Sequence, residues 1–353
     1  MASLDKDSVE YRLIQEDPGC KSSFVTPGQN TSGPWRVEPT GWRPWDDFNY
    51  STLKRIFRKE LETKFIGSQA AEPLDMTRTI FNERSLDGYI HPRIIEVVND
   101  AIRSVQGEEP NHIGDGARLV ANNKGKDKKD MRKDSESKAN SHLRPDWSMI
   151  PYASPEKGLS KLSNLMVGDT KLNAKWYPDM ASKTTDDQIK NKKSTAEQEW
   201  GKVLSQVTTY MADNNCRYGF IITDAHLVVL RLSLSGNPAP DQYADPEYCD
   251  IPWGGEDKAE AGAGLTPKLA LFFLSLLASC KRRTHIRSEY EDMNLWNKPD
   301  PRFYTNIYTG RTKKELEAGD EEKPMSRDVF QDDKEENDEE DFAAQFQRQL
   351  TIR

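Results

Sequence analysis

Apolar positions recur along this chain with two periods, and the two alternate. In residues 46–65, Phe48, Leu53, Ile56, Phe57, Leu61 and Phe65 fall three and four apart. That spacing predicts an amphipathic helix whose polar face carries Arg55, Arg58, Lys59 and Lys64. Within residues 78–106 the stripe Ile94, Val97, Val98, Ala101, Ile102 and Val105 predicts a second helix, with Pro92 suited to its first turn. Residues 143–151 and 162–172 read as strands, the latter centred on Leu165, Met166 and Val167. A capping box at Ser194 and Glu197 opens a third helix with the stripe Trp200, Val203, Leu204, Val207, Tyr210 and Met211. Residues 217–224 and 227–234 read as a hairpin turning at Asp224-Ala225-His226. After Thr266-Pro267, residues 269–280 are apolar nearly all round, as a helix buried against a sheet would be. The order predicts an α/β fold with a central mixed sheet flanked by helices.

The remaining segments are polar. Residues 1–45 are rich in Pro, Gly, Ser and Thr and read as an irregular, disordered arm whose Trp35, Trp42 and Trp45 pack onto the domain. Residues 107–141 read as a charged insertion, 235–263 as loop, and 311–353 as an acidic, disordered tail. The domain is thus expected at 46–310. The chain has 353 residues, of which 35% are hydrophobic, and a mean hydropathy of −0.84, which fits a globular part with polar flanks. A net charge of −8 argues against coating nucleic acid by charge alone, but allows a local basic groove. The lysine-rich run within 122–134 reads as a solvated linker, or as an arm meeting a nucleic-acid backbone. Cys20, Cys216, Cys249 and Cys280 form no CxxC pair and no zinc spacing. The N-terminus lacks an apolar signal core, and the run 265–280 is too short for a bilayer. An intracellular protein, cytoplasmic or nuclear and without a membrane, is expected, with a possible protein partner at the acidic tail.

Chemistry concentrates in residues 144–171. Asp169 and Lys171 lie two apart on a predicted strand, so a carboxylate and an ammonium share one face. Asp146, on the neighbouring strand, adds a second carboxylate, and the Thr170 carbonyl a neutral oxygen. Two acids with open positions for water and phosphate suit Mg²⁺. Such an ion would activate a water that Lys171 could orient or help deprotonate. Gln206 and Tyr210, at i and i+4, share a side of the third helix and read either as packing groups or as a border to that site. His91 reads as a capping or packing histidine, and Glu96 as solvated.

The ordered set Pro145-Asp146, Asp169-Thr170-Lys171 and Gln206-x-x-x-Tyr210 resembles the PD-(D/E)XK nuclease superfamily, and its last element resembles the RecB-like branch. The wording around Arg144-Pro145-Asp146, Gly168-Asp169-Thr170-Lys171 and Arg217–Thr223, with Asn82-Glu83 and Ile90-His91-Pro92 upstream, is similar to fungal nuclease-like proteins of that superfamily. The resemblance covers roughly residues 80–280. It implies a restriction-endonuclease-like core, Mg²⁺ or Mn²⁺ held by Asp146 and Asp169, and Lys171 as catalytic lysine. It further implies a helical acid, for which Glu83 is the candidate and Glu96 the second choice, and substrate contacts at Gln206 and Tyr210. The expected activity is hydrolysis of nucleic-acid phosphodiesters, DNA before RNA. The alternative is a catalytically inactive nuclease-fold protein that binds protein or nucleic acid.

Overall fold

The computed structural model describes residues 5–15, 19–22, 25, 29–33, 35–67, 78–108, 110–116, 144–151, 164–183, 195–235, 243–253, 264–280 and 285–323. The chain divides into two compact units, Met1–Tyr290 and Glu291–Arg353.

The first unit is α/β, built on a seven-stranded mixed sheet. Its strands are β1 (Arg43–Pro44), β2 (His112–Asp115), β3 (Trp147–Ile150), β4 (Met166–Thr170), β5 (Tyr218–Ile222), β6 (His226–Arg231) and β7 (Glu247–Pro252). They lie in the order β1-β7-β6-β5-β4-β3-β2. The β4–β5 and β1–β7 pairs are parallel and the rest antiparallel. Every residue of β4 and β5 is buried, as expected of central strands covered on both faces. Gly168 is required at its position: a Cβ there would sit 2.2 Å from the Phe220 ring on the adjacent strand.

The helices of this unit begin with α1 (Val9–Leu13), α2 (Tyr50–Ile56), α3 (Arg58–Leu61), α4 (Glu83–Ile90) and α5 (Glu96–Gln106). They end with α6 (Ala196–Asp213) and α7 (Pro267–Ala278). The helix expected over 46–65 is two pieces, because Phe57 leaves the helical region at φ −110° and ψ 24°. Pro92 does not open a helix. It sits in a π turn, His91–Ile95, that joins α4 to α5. Proline lacks an N–H and crowds the carbonyl four residues back, and a wider turn relieves both.

α6 makes the parallel crossover from β4 to β5. Its cap is Thr195 rather than Ser194: the Thr195 hydroxyl accepts from Gln198 N–H at 3.2 Å and Gln198 Oε1 accepts from Thr195 N–H at 3.0 Å. One face of the sheet meets α6 in a core of Val167, Ile221, Val228, Leu230, Val203 and Val207. Alternation turns Phe220, Leu227 and Val229 to the other face, where α7, buried along its whole length, packs on β6 and β7. Each such leucine or phenylalanine contributes roughly 1.5–3 kcal/mol by burial.

The arm is folded wherever it is described. Val9 and Leu13 are fully buried, Trp42 stacks on Tyr248 at 3.9 Å, and β1 extends the sheet. Besides β1 in the arm and the strands after residue 290, periodicity missed two strands of this sheet. β7 lies in a stretch expected to be loop, and β2 at the start of the expected insertion. The basic run at 122–134 lies outside the described residues.

The second unit carries a four-stranded sheet of β8 (Leu295–Asp300), β9 (Phe303–Asn306), β10 (Thr312–Lys313) and β11 (Glu321–Glu322), ordered β10-β9-β8-β11. The tail expected from 311 is therefore ordered through 323, and the rest lies outside the described residues. Among the described residues no helix is long and apolar enough to cross a membrane.

Candidate metal centre

The site forms where β3 and β4 run antiparallel. Trp147 pairs with Gly168 at the end of the ladder, and Asp146 and Asp169 are the residues next to that pair on the two segments. Two contacts hold Asp146 in place. Its Oδ2 accepts from Thr170 N–H at 2.9 Å, and its carbonyl accepts from Gly116 N–H at 2.8 Å. Asp169, only 1% exposed, lies within hydrogen-bonding reach of Asp146 and is ion-paired through Oδ2 to Lys171 Nζ. The sequence placed Asp169 and Lys171 on one face, and the strand does so.

Charge decides what this trio is. Two carboxylates face one ammonium in a nearly dry pocket. Burial pushes the Asp169 carboxyl up; Lys171 opposes and the nearby Asp146 charge reinforces, with the balance at about 8. Burial alone would lower the Lys171 pKa, but the Asp169 carboxylate outweighs it, with help from Asp146 and Glu83, and the net direction is upward. Lys171 is thus held charged beside Asp169, while burial and the neighbouring Asp146 charge work against ionisation of the Asp169 carboxyl.

Thr170 faces the opposite side of the sheet. Its hydroxyl accepts from Trp147 Nε1 at 2.8 Å and donates to Asp87. Asp87 was not singled out from the sequence, although it lies one turn beyond Glu83, a spacing that could have found it. Burial raises its pKa against the Thr170 bond, and the charges of Asp146, Glu83 and Asp115 add to the rise. Its Oδ1 is buried without a hydrogen-bond partner.

Glu83 sits in the first turn of α4, where Asn82 caps the helix by accepting from Ser85 N–H at 2.9 Å. Its carboxylate pairs with Lys175 at 3.3 Å, and its charge is felt at Lys171. Lys175 is a second residue the sequence reading did not identify. Glu96 is exposed and pairs with His91 at 3.5 Å, while the His91 ring stacks on Trp147 at 6.1 Å. On the α6 side, Gln206 Nε2 donates to Tyr210 Oη at 2.8 Å, both residues being buried. Burial and the Asp169 charge push the Tyr210 hydroxyl up to about 12, so α6 does border the trio. The structure therefore brings together Asp146, Asp169, Lys171, Glu83, Gln206 and Tyr210, and leaves Glu96 aside.

Among the described residues no group of three or more His, Cys, Asp or Glu side chains is placed to hold a metal ion. The donor set that is present, the neighbouring carboxyl groups of Asp146 and Asp169, matches in type a hard divalent ion that uses one or two carboxylates and keeps its waters. Comparison of the chain with family models, curated proteins and solved structures finds no match.

Proposed function

We propose that this chain is a metal-dependent phosphodiesterase of nucleic acids, DNA before RNA, on a restriction-endonuclease-like core. The observation that carries the reading is the meeting of Asp146 and Asp169 at the end of the β3–β4 ladder, with Lys171 charged on the same face. Asp146 and Asp169 would hold Mg²⁺ or Mn²⁺, with the Thr170 carbonyl as a neutral oxygen ligand. A bound ion of this kind supplies Lewis-acid polarisation of the phosphate and a water of lowered pKa. Asp169 must first ionise. Lys171, held charged, is then a donor that orients the attacking water and offsets negative charge on the phosphoryl oxygens; it is no general base in this state. Tyr210 and Gln206 brace that lysine and carboxylate from α6 and would meet the substrate from that side.

The test is cleavage of plasmid and single-stranded DNA with Mg²⁺ or Mn²⁺, comparing the wild type with Lys171→Ala and Asp169→Ala. Losses of about a hundredfold or more are expected in both variants. Equal activity in all three proteins sinks the assignment. One observation favours a second reading, an inactive binding module on the same fold: Lys171 is buried and its ammonium is already paired to Asp169. Failure of the folded protein to take up Mg²⁺ or Mn²⁺ would support it.

A further inference from the structure

Glu83 and Lys175 satisfy one another at the edge of the carboxylate pair. Their ion pair spans 3.3 Å, with the side chains 39% and 26% exposed. A pair this open to water is weak. Glu83 nevertheless stands in the first turn of α4, which packs on β4, the strand of Asp169, and its charge raises the pKa values of Lys171 and Asp87.

The backbone that carries Lys175 is pinned. Lys175 N–H and Trp176 N–H both donate to the Leu172 carbonyl, at 2.8 and 3.0 Å. Asn30 Nδ2 donates to the Lys175 carbonyl at 3.1 Å, and Trp176 Nε1 to the Trp200 carbonyl at 3.2 Å. The lysine side chain itself is partly exposed to solvent. A phosphate monoanion or diester offers the ammonium the same charge as Glu83, together with more acceptor oxygens.

We infer that Lys175 is a contact for a backbone phosphate of the nucleic acid, and that its capture by phosphate releases Glu83 to face the cation held by Asp146 and Asp169. Without nucleic acid the site offers two carboxylates, while the third acid is neutralised by Lys175. With nucleic acid it offers three. Cation and phosphate therefore bind with positive coupling, and by linkage each tightens the other by the same factor. This inference rests on the nuclease reading above, and it adds a substrate residue and an order of assembly to that reading.

The experiment measures Mn²⁺ binding to the full chain at pH 7.5 by calorimetry, with and without thymidine 3′,5′-bisphosphate. That probe has phosphates but no phosphodiester to cleave. In the wild type the nucleotide should tighten Mn²⁺ binding by about tenfold. In Lys175→Ala, Mn²⁺ alone should bind more tightly than to the wild type, and the coupling should fall below about twofold. Lys175→Arg should retain the coupling. In Glu83→Gln the coupling should be absent, and adding Lys175→Ala should leave Mn²⁺ affinity unchanged, which separates release of Glu83 from simple removal of a positive charge. Should Lys175→Ala fail to fold by circular dichroism, Lys175→Gln carries the same comparison. Mn²⁺ affinity and coupling in the alanine variant equal to those of the wild type overturn the inference while leaving the nuclease reading intact. Absence of Mn²⁺ uptake by every form overturns both.

Discussion

Replacing Asp169 with asparagine should abolish an inverted pH dependence of stability. A carboxylate stabilised in the fold has a depressed pKa, and its contribution is lost as the pH falls. Asp169 is the reverse case. Its pKa rises from 3.8 in the unfolded chain to about 8 in the fold. Below about pH 4 both states are protonated and nothing is lost. Between about 4 and 8 the unfolded state has released the proton and the folded state still binds it, so stability falls as the pH rises, and then levels. A rise of about four pH units at ~1.36 kcal/mol each sets a ceiling of ~5 kcal/mol. Polarisable surroundings bring the expected loss to roughly 3 kcal/mol. The assay is urea unfolding of the wild type and Asp169→Asn between pH 5 and 8.5, with a chelator present and tryptophan fluorescence as the signal. Asparagine keeps the shape and carries no charge. The wild-type minus variant difference should therefore shift against the wild type as the pH rises, whatever other groups titrate. A difference that is flat across the window, or that favours the wild type with rising pH, refutes the reasoning.

Other expectations follow from the same geometry. Mn²⁺ binding at pH 7 should release up to about one proton, because burial raises the Asp169 pKa and the ligand must ionise; calorimetry in buffers of different ionisation enthalpy reads this directly. Thr170→Val should lose the acceptor of the Trp147 indole N–H and a donor to Asp87, costing about 1–3 kcal/mol in urea melts. Gly168→Ala should cost roughly 1–3 kcal/mol, since the new methyl meets the Phe220 ring, and Phe220→Leu should partly restore stability in the double variant. Thr195→Ala, which removes the α6 cap, should cost about 1 kcal/mol in the same measurement.

Much of the sheet's centre was legible in the chain because its signals are local. Alternation along β4 is a property of any extended strand, so Asp169 and Lys171 had to share a face. The α6 stripe from Trp200 to Met211 and the all-apolar run of α7 follow from helical period and burial alone. The hairpin of β5 and β6 was marked by its short turn. Among the strands that were not legible, two lie in the large sheet outside the arm. β7 alternates only partly, with Glu247, Tyr248 and Asp250 half-buried, and β2 is four residues at an edge with His112 and Asp115 exposed. Such segments become strands because a neighbour supplies hydrogen bonds, and no period in the sequence encodes a neighbour.

The candidate centre divides along the same line. By itself the sequence determined which residues could supply two carboxylates, an ammonium and a Gln-Tyr pair, and in what order. Only the tertiary structure decided that Asp146 stands beside Asp169, since strand register is set by the pairing of two chain segments. Only the packing of α4 beside β4 gave Glu83 its partner in Lys175 and brought Asp87 to Thr170. The upward shift at Asp169 arises from burial, and the charge held on Lys171 from the Asp169 carboxylate that outweighs burial; both need the sheet covered on its two faces.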